Sequence, residues 1–320
     1  MSTVDDPIGF VPAAPEEPEG EPAESARPPG ILKDFVTLAK PGITAMCLFT
    51  AAGAMAYAWA TGAELQPGFG WQTIGWSMLG TALSVVGSNA LNMVIEREGD
   101  KAMVRTRNRP LPSGRMHVGT ALAFGVITGC ASFWVLWYGV NPLTSILSMI
   151  ALGSYVFVYT PLKRVTPQAL AIGAIPGAMP PLIGWTSATD RIDPVGLVLF
   201  LILLLWQLPH FLAIALYRFR DYQAAGIKTV PVVRGIEVAK VQSVVYSLLM
   251  FPVSLMLIPL GAAQFVYFFT ASVLGIWFFI LSARGFEPGA GVQWARSFFL
   301  ASLIYLPVLT VALALDVVIR

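Results

Sequence analysis

The chain has 320 residues, of which 56% are hydrophobic and only 12% charged, and its formal net charge is +2 at pH 7. Soluble domains carry about 25% charged residues, so this composition excludes an ordinary water-soluble enzyme. The apolar residues come in repeated blocks of about twenty, the length that crosses a bilayer core of about 30 Å. The chain is therefore predicted to be an all-α polytopic membrane protein.

The first thirty residues differ in kind from the rest of the chain. They contain seven acidic residues, seven prolines and a single arginine. Such a segment cannot bury enough apolar surface to offset the entropy of ordering it. We expect residues 1–30 to form a disordered cytoplasmic tail, and residues 31–320 to form the membrane domain.

Windows of about 20 apolar residues predict nine transmembrane helices in the membrane domain. Their predicted ranges are 43–60, 71–95, 117–138, 142–160, 167–186, 194–216, 238–260, 264–282 and 297–316. Cytoplasmic loops carry an excess of Lys and Arg. Placing the N-terminus in the cytoplasm puts 18 of the 20 basic residues on the cytoplasmic side. We therefore expect a cytoplasmic N-terminus, a C-terminus outside, and helices around a central cavity that opens to the cytoplasm.

A first polar cluster lies at the end of the second span, where Asn92, Glu96 and Asp100 occur at intervals of four residues. At about 3.6 residues per turn, these side chains drift only about 40° per step and can line one face of a helix. Oxygen ligands of this kind suit Mg²⁺, which commonly takes one or two carboxylates while substrate phosphates complete its coordination. Three arginines follow that could bind the same phosphates, namely Arg105, Arg109 and Arg115.

Charged residues beside a membrane helix are often only a solvated loop, and composition alone favours that interpretation. An ionised residue well inside a bilayer, however, costs roughly 2.5 to 3.5 kcal/mol even on the lenient insertion scale. Asn92 and Glu96 belong to the last turns of an apolar segment. Residues with this cost tend to face a water-filled cavity, which favours a functional site.

A second polar cluster follows the sixth span, in the segment 217–228, and contains Arg220 and Asp221. Within that span His210 follows Pro209, which interrupts the helical hydrogen bonds. A buried histidine that is bonded to a neighbouring helix is an equally good interpretation of His210. The predicted topology puts both clusters and a short basic loop with Lys163 on one side, so we infer one pocket between helices.

Such a pocket would combine a metal, a diphosphate and an apolar group. If Mg²⁺ and arginines stabilise a departing diphosphate, the carbon left behind becomes positively charged and must be kept from water. Aromatic faces such as Trp206, Phe211 or Tyr159 could favour this cation by about 0.5 to 2 kcal/mol each. Each of these aromatics is more often ordinary helix packing.

Several motifs occur in a fixed order along the chain. The first is the run from Asn92 to Leu111, which holds acids and arginines at regular spacing. It is followed by Thr160-Pro161-Leu162-Lys163-Arg164, Gly177 to Trp185, Trp206-Gln207-Leu208-Pro209-His210-Phe211 and Arg218 to Ile227. The first run resembles the first signature of the UbiA-type intramembrane prenyltransferases and alone would indicate only that superfamily. The ordered series resembles the protoheme IX farnesyltransferase branch, which acts on haem.

The resemblance implies transfer of a farnesyl group from farnesyl diphosphate to a vinyl group of haem B, with addition of water to give haem O. It implies that Mg²⁺ is held by Asn92, Glu96 and Asp100, with Asp221 binding a second metal or orienting the first. It implies diphosphate contacts from Arg105, Arg109, Lys163, Arg220 and Lys40. His210 becomes a candidate contact for the porphyrin or its iron. The expected location is the bacterial cytoplasmic (inner) membrane, with a downstream haem A synthase as a partner and no nucleic acid.

The sequence departs from the group's pattern at three points. Glu96 stands where the group usually has Asp, and Asp221 is a single acid where the wider superfamily has a pair. Gly42 stands where an Arg is frequent after Lys40-Pro41. A prenyltransferase for a quinone precursor or another aromatic acceptor would share the metal chemistry, and an organic-anion transporter could also use arginines at a cavity. The transporter would be expected to have broken helices at the bilayer midplane.

Overall fold

The structure, a computed structural model, describes residues 30–101, 106–224 and 226–319, and these residues fold into helices only. The predicted tail therefore lies outside the described residues, apart from Gly30, and stays a prediction. The helices are α1 (Ile31–Ala39), α2 (Pro41–Ala60), α3 (Trp71–Lys101), α4 (Val118–Gly139), α5 (Pro142–Gly153), a π-helix (Ser154–Tyr159), α6 (Thr160–Leu162), α7 (Ala169–Thr189), α8 (Pro194–Tyr217), α9 (Phe219–Ala224), α10 (Val230–Arg234), α11 (Ile236–Leu255), α12 (Phe265–Ala283), a 3₁₀ turn (Arg284–Phe286) and α13 (Val292–Ile319).

The nine predicted spans are confirmed, since nine helices in the described ranges are long and apolar enough to cross a membrane. The fourth of these spans joins α5, the π-helix and α6 into Pro142–Leu162. The largest difference from the prediction is α3, which continues to Lys101 instead of ending at residue 95. The hydropathy window stops where charges begin, but the polar residues continue the helix because their backbone bonds are unaffected.

Consecutive spanning helices pack side by side, both across short turns such as residues 140–141 between α4 and α5 and across the longer connection between α3 and α4. Small residues bring them close together, as is typical of membrane helices. A Cβ added at Gly184 of α7 would lie 2.0 Å from the carbonyl oxygen of Ala51 in α2. That oxygen belongs to the backbone and cannot move aside, so only glycine permits this approach. Four buried aromatic side chains, Tyr267, Phe278, Phe298 and Tyr305, fill the contact between α12 and α13.

A short amphipathic helix, α1, precedes the first span and is not among the predicted elements. It buries Asp34 and Leu38 while Ile31 and Leu32 remain exposed. Arg115 donates a hydrogen bond to Asp34 at 3.1 Å and thereby fastens α1 to the loop before α4. Lys40 then turns the chain from α1 into α2 with a left-handed backbone, φ 46°.

The polar end of the bundle is the end at which α3, α6 and α8 finish. An ion pair between Glu96 and Lys163 joins the end of α3 to the loop that follows α6. Leu212 and Leu216, near the end of α8, pack in one cluster with Leu170 at the start of α7. Both polar clusters are therefore carried by elements at the same end of the bundle, as the sequence predicts.

Candidate active site

The end of α3 buries three polar residues on one face. Asn92, Glu96 and Asp100 are 2%, 4% and 4% exposed, respectively. The extension of α3 to Lys101 makes their four-residue spacing a true helical spacing, so that all three lie along the same stripe. Burial of two carboxylates is costly unless each has a partner of opposite charge.

Both carboxylates have such a partner, and each partner comes from a segment outside α3. Glu96 forms a close ion pair with Lys163, in the loop after α6. Asp100 accepts a hydrogen bond from the Arg109 guanidinium at 2.7 Å. The Thr106 hydroxyl donates to the Asp100 carbonyl at 3.0 Å and ties the loop to the end of α3. Two of the predicted cations, Lys163 and Arg109, are thus in direct contact with buried acids of α3.

Lys40 approaches the same stripe from the junction of α1 and α2. Its ammonium donates a hydrogen bond to Asn92 Oδ1 at 3.1 Å. Burial and, next in size, the nearby Arg109 charge lower the pKa of Lys40 to about 8. The shift therefore reflects mainly the burial of the Lys40 ammonium, with smaller and partly opposing effects from the charges around it.

Thr160 is a site residue to which the sequence assigns no role. It is 1% exposed, and its hydroxyl accepts a hydrogen bond from Asn92 Nδ2 at 3.0 Å. Thr160 follows the π-helix, in which one extra residue per turn changes the direction of all later side chains. The resemblance marks the Thr160–Arg164 segment, but hydropathy and helical periodicity give no signal for the π-helix.

An apolar cavity of about 110 Å³ lies next to these residues, between α2, α3, α5 and α7. It runs along α3 from Asn89 to Thr81, a length of about 12 Å at the helical rise of about 1.5 Å per residue. Tyr155 of the π-helix also lines it. The cavity therefore starts one turn from Asn92 and extends into the bundle, which suits a long apolar group.

The second polar cluster is arranged differently. The Asp221 side chain is 67% exposed and pairs at 3.2 Å with Arg218, the residue between α8 and α9. Arg220 is also exposed. In the part of the chain that the structure describes, no three His, Cys, Asp or Glu residues lie close enough to hold a metal. Asp221 thus does not form a three-acid set with Glu96 and Asp100, and Arg105 lies outside the described residues.

His210 lies in α8 and faces α13. Its ring stacks on Trp206 with 4.7 Å between ring centres, and its Nδ1 lies 2.7 Å from the Ser302 hydroxyl. Ser302 donates its own proton to the Phe299 carbonyl at 2.5 Å, so the hydroxyl can only accept from Nδ1–H. This hydrogen-bond pattern favours the tautomer that carries its proton on Nδ1.

The donor set at the end of α3 fits a magnesium ion that is bound together with a diphosphate. Glu96 and Asp100 supply two buried carboxylates and Asn92 an amide oxygen, which are ligands that Mg²⁺ prefers. Two carboxylates without a third acid hold such an ion weakly, so phosphate oxygens are needed to complete its coordination. The neighbouring cations Lys163 and Arg109 suit those phosphates.

The chain is similar along most of its length to bacterial proteins named protoheme IX farnesyltransferase. It is 45% identical to the protoheme IX farnesyltransferase of Myxococcus xanthus over 90% of this chain and 96% of that protein. It is 50% identical to the protein of the same name from Sorangium cellulosum, over 74% of this chain and 85% of that protein.

Solved structures share the fold at low sequence identity. The structure of a digeranylgeranylglyceryl phosphate synthase superposes with a TM-score of 0.75 at 16% identity, covering 90% of this chain and 99% of that one. A UbiA homolog from Archaeoglobus fulgidus, bound to GPP and Mg²⁺, gives a TM-score of 0.60 at 16% identity, covering 88% of this chain and 99% of that one. The sequence profile of the UbiA prenyltransferase family matches residues 46–303. The chain therefore belongs to the UbiA prenyltransferase family.

Proposed function

We propose that the protein transfers the farnesyl group of farnesyl diphosphate to a vinyl group of haem B and that water then adds to give haem O. The observation that carries the proposal is the buried pair of carboxylates, Glu96 and Asp100, opposed by Lys163 and Arg109 at the mouth of an apolar cavity. The names of the similar bacterial proteins support haem B as acceptor over a quinone precursor or another aromatic compound. Membership of a prenyltransferase family argues against an organic-anion transporter.

Charge pairing explains how the site receives its substrate. Without substrate, Lys163 and Arg109 neutralise Glu96 and Asp100. When magnesium diphosphate is bound, these two cations would hold diphosphate oxygens, and Asn92, Glu96 and Asp100 would hold the metal. Each of these four charged side chains therefore has a partner of opposite charge both with and without substrate. An unpaired buried ion would cost several kcal/mol. Lys40 adds a third cation beside Asn92.

The reaction breaks the bond between farnesyl C1 and the diphosphate oxygen, and the bonding electrons leave with the diphosphate. When bound, Mg²⁺ supplies Lewis-acid stabilisation of that leaving group. The cavity between Asn89 and Thr81 holds the apolar chain and keeps bulk water from C1. C1 then bonds to a vinyl carbon of haem B, and the cation formed on the adjacent carbon takes water and loses a proton.

The remaining predicted residues act at the rim of this site. Arg105 and Arg220 are proposed to contact the diphosphate, and Asp221 to bind a second metal or orient the first. Asp221 must leave Arg218 to do so. His210 is proposed as a haem contact through Nε2, with Ser302 holding the ring as an outer hydrogen-bond partner holds a ligating histidine. The protein is proposed to lie in the bacterial cytoplasmic membrane with its polar end in the cytoplasm, and to pass haem O to a haem A synthase.

An acceptor assay tests the proposed function. Purified protein in detergent is incubated with Mg²⁺, farnesyl diphosphate and either haem B or 4-hydroxybenzoate, and the products are identified by mass. We expect haem B to gain one farnesyl group and one water, and 4-hydroxybenzoate to remain unchanged. Farnesylation of 4-hydroxybenzoate with haem B unmodified would reject haem as the acceptor.

A haem-binding measurement tests the role of His210. His210→Ala is expected to lower the affinity for haem B, and unchanged affinity would remove His210 from the haem site.

A further inference from the structure

Thr160 touches Asn92 but does not face the cavity, and the geometry suggests a positioning role. We propose that the Thr160 hydroxyl sets the orientation of the Asn92 carboxamide, so that its oxygen is presented as a metal ligand. This inference deepens the proposed function and rests on it.

The hydrogen bonds of Thr160 allow only one orientation of the Asn92 carboxamide. A hydroxyl has a single proton, and Thr160 donates it to the Tyr155 carbonyl at 2.8 Å. The hydroxyl oxygen can therefore only accept from its other neighbour, Asn92 Nδ2, at 3.0 Å. The amino group of Asn92 faces Thr160, and Oδ1 faces the Lys40 ammonium at 3.1 Å.

The reverse orientation would create two unfavourable contacts. Asn92 Oδ1 would face a hydroxyl oxygen whose proton is already used, and the Asn92 amino group would face the ammonium of Lys40. A hard cation binds the amide oxygen and not the amino group. The orientation of this amide therefore decides whether Asn92 can act as a ligand beside Glu96 and Asp100.

The π-helix makes this arrangement possible. The Thr160 N–H bonds to the Tyr155 carbonyl in the i to i−5 pattern of a π-turn, and the Thr160 hydroxyl bonds to the same oxygen. An extra residue in a turn rotates the following side chains by about 100° relative to a continuous α-helix. Thr160 and Lys163, which follow the π-helix, both contact the buried stripe of α3.

Binding without turnover tests the role of Thr160. Inorganic diphosphate with Mg²⁺ is titrated into the full-length protein in detergent by calorimetry. Loss of an outer hydrogen-bond partner typically weakens metal affinity by about 10-fold to 100-fold, so Thr160→Val should raise the Kd at least about tenfold. Thr160→Ser keeps the same donor and acceptor and should stay within about twofold of the unmodified protein.

A matched control separates positioning from a general loss of packing. Thr128 is also buried, and its hydroxyl donates to carbonyls of its own helix, at 2.7 Å to Phe124. We expect Thr128→Val to leave the Kd unchanged. In an Asn92→Asp background the ligand group has two equivalent oxygens, so adding Thr160→Val should have little further effect on the Kd.

Several outcomes would overturn the inference. One is a Kd for Thr160→Val equal to that of the unmodified protein, and another is an equal loss in the Asn92→Asp background. Thr160→Ala gives the same test if Thr160→Val does not fold, because it removes the hydroxyl and leaves space. If the unmodified protein does not bind magnesium diphosphate, the proposed function itself fails, whereas normal binding by Thr160→Val or Thr160→Ala rejects only the positioning role.

Discussion

The two polar clusters are alike in sequence but opposite in structure. Each follows a long apolar span and combines acids with arginines or lysines. At the end of α3, however, the carboxylates are buried and take their partners from the loops after α3 and α6. After α8, Asp221 is exposed and takes its partner three residues away. Buried pairs between separate segments hold a site in shape, whereas an exposed local pair can exchange partners freely.

The largest expected effect is loss of turnover when the buried cluster loses a ligand. Asp100→Asn keeps the shape of the side chain and removes its charge. Mutation of a residue that only hydrogen-bonds a metal ligand lowers metal affinity or activity by up to about 100-fold. Removal of a ligand itself should therefore lower the rate of haem O formation by at least about 100-fold. Product mass after timed incubation measures this. An unchanged rate would show that the acidic face of α3 is only solvated.

The next largest expected effect is a difference between the two clusters in how much their ion pairs stabilise the fold. Lys163→Met leaves Glu96 buried without its counter-charge, and should lower the free energy of unfolding by about 2 to 3 kcal/mol, somewhat below a fully buried pair because Lys163 is partly exposed. Denaturant titration in detergent measures this change, without Mg²⁺ or diphosphate.

Arg218→Met is the matched control for Lys163→Met, since it breaks the exposed pair with Asp221. Exposed pairs contribute little, so the change should be within about 0.5 kcal/mol. Equal destabilisation by both variants would contradict the contrast between the clusters.

The smallest expected effect separates activity from stability at Asp221. Asp221→Asn should leave the free energy of unfolding within about 0.5 kcal/mol, because the side chain is exposed. Its turnover should fall by about tenfold, the lower end of the range for residues that support a metal site. Full activity in this variant would remove Asp221 from the site, and a large loss of stability would contradict its exposed position.

Much of the fold follows from hydropathy, because the bilayer sets the length of an apolar helix. The nine spans are of this kind. The end of α3 is not, since charged residues from Glu96 onwards stop a hydropathy window without stopping the helix. α1 is too short and too polar on one side to be detected as a span. The π-helix changes only backbone hydrogen bonding, for which the sequence has no periodic signal.

The sequence predicts which residue types form the candidate site, but it does not predict which cation pairs with which acid. The four-residue spacing of Asn92, Glu96 and Asp100 places them on one face as soon as the segment is helical. Which cation meets which acid depends on how α6 packs on α3, and this is a property of the whole bundle. The sequence also treats Asp100 and Asp221 alike, because burial is decided by neighbours that are distant in the chain.

The central claim is that the buried cluster binds a diphosphate through Mg²⁺. Its most direct test is equilibrium binding of farnesyl diphosphate to the purified protein without haem, in Mg²⁺ and in EDTA. We predict that Mg²⁺ lowers the Kd at least about tenfold and that Asp100→Asn abolishes this difference. Equal affinity in Mg²⁺ and in EDTA for the unmodified protein would contradict the account.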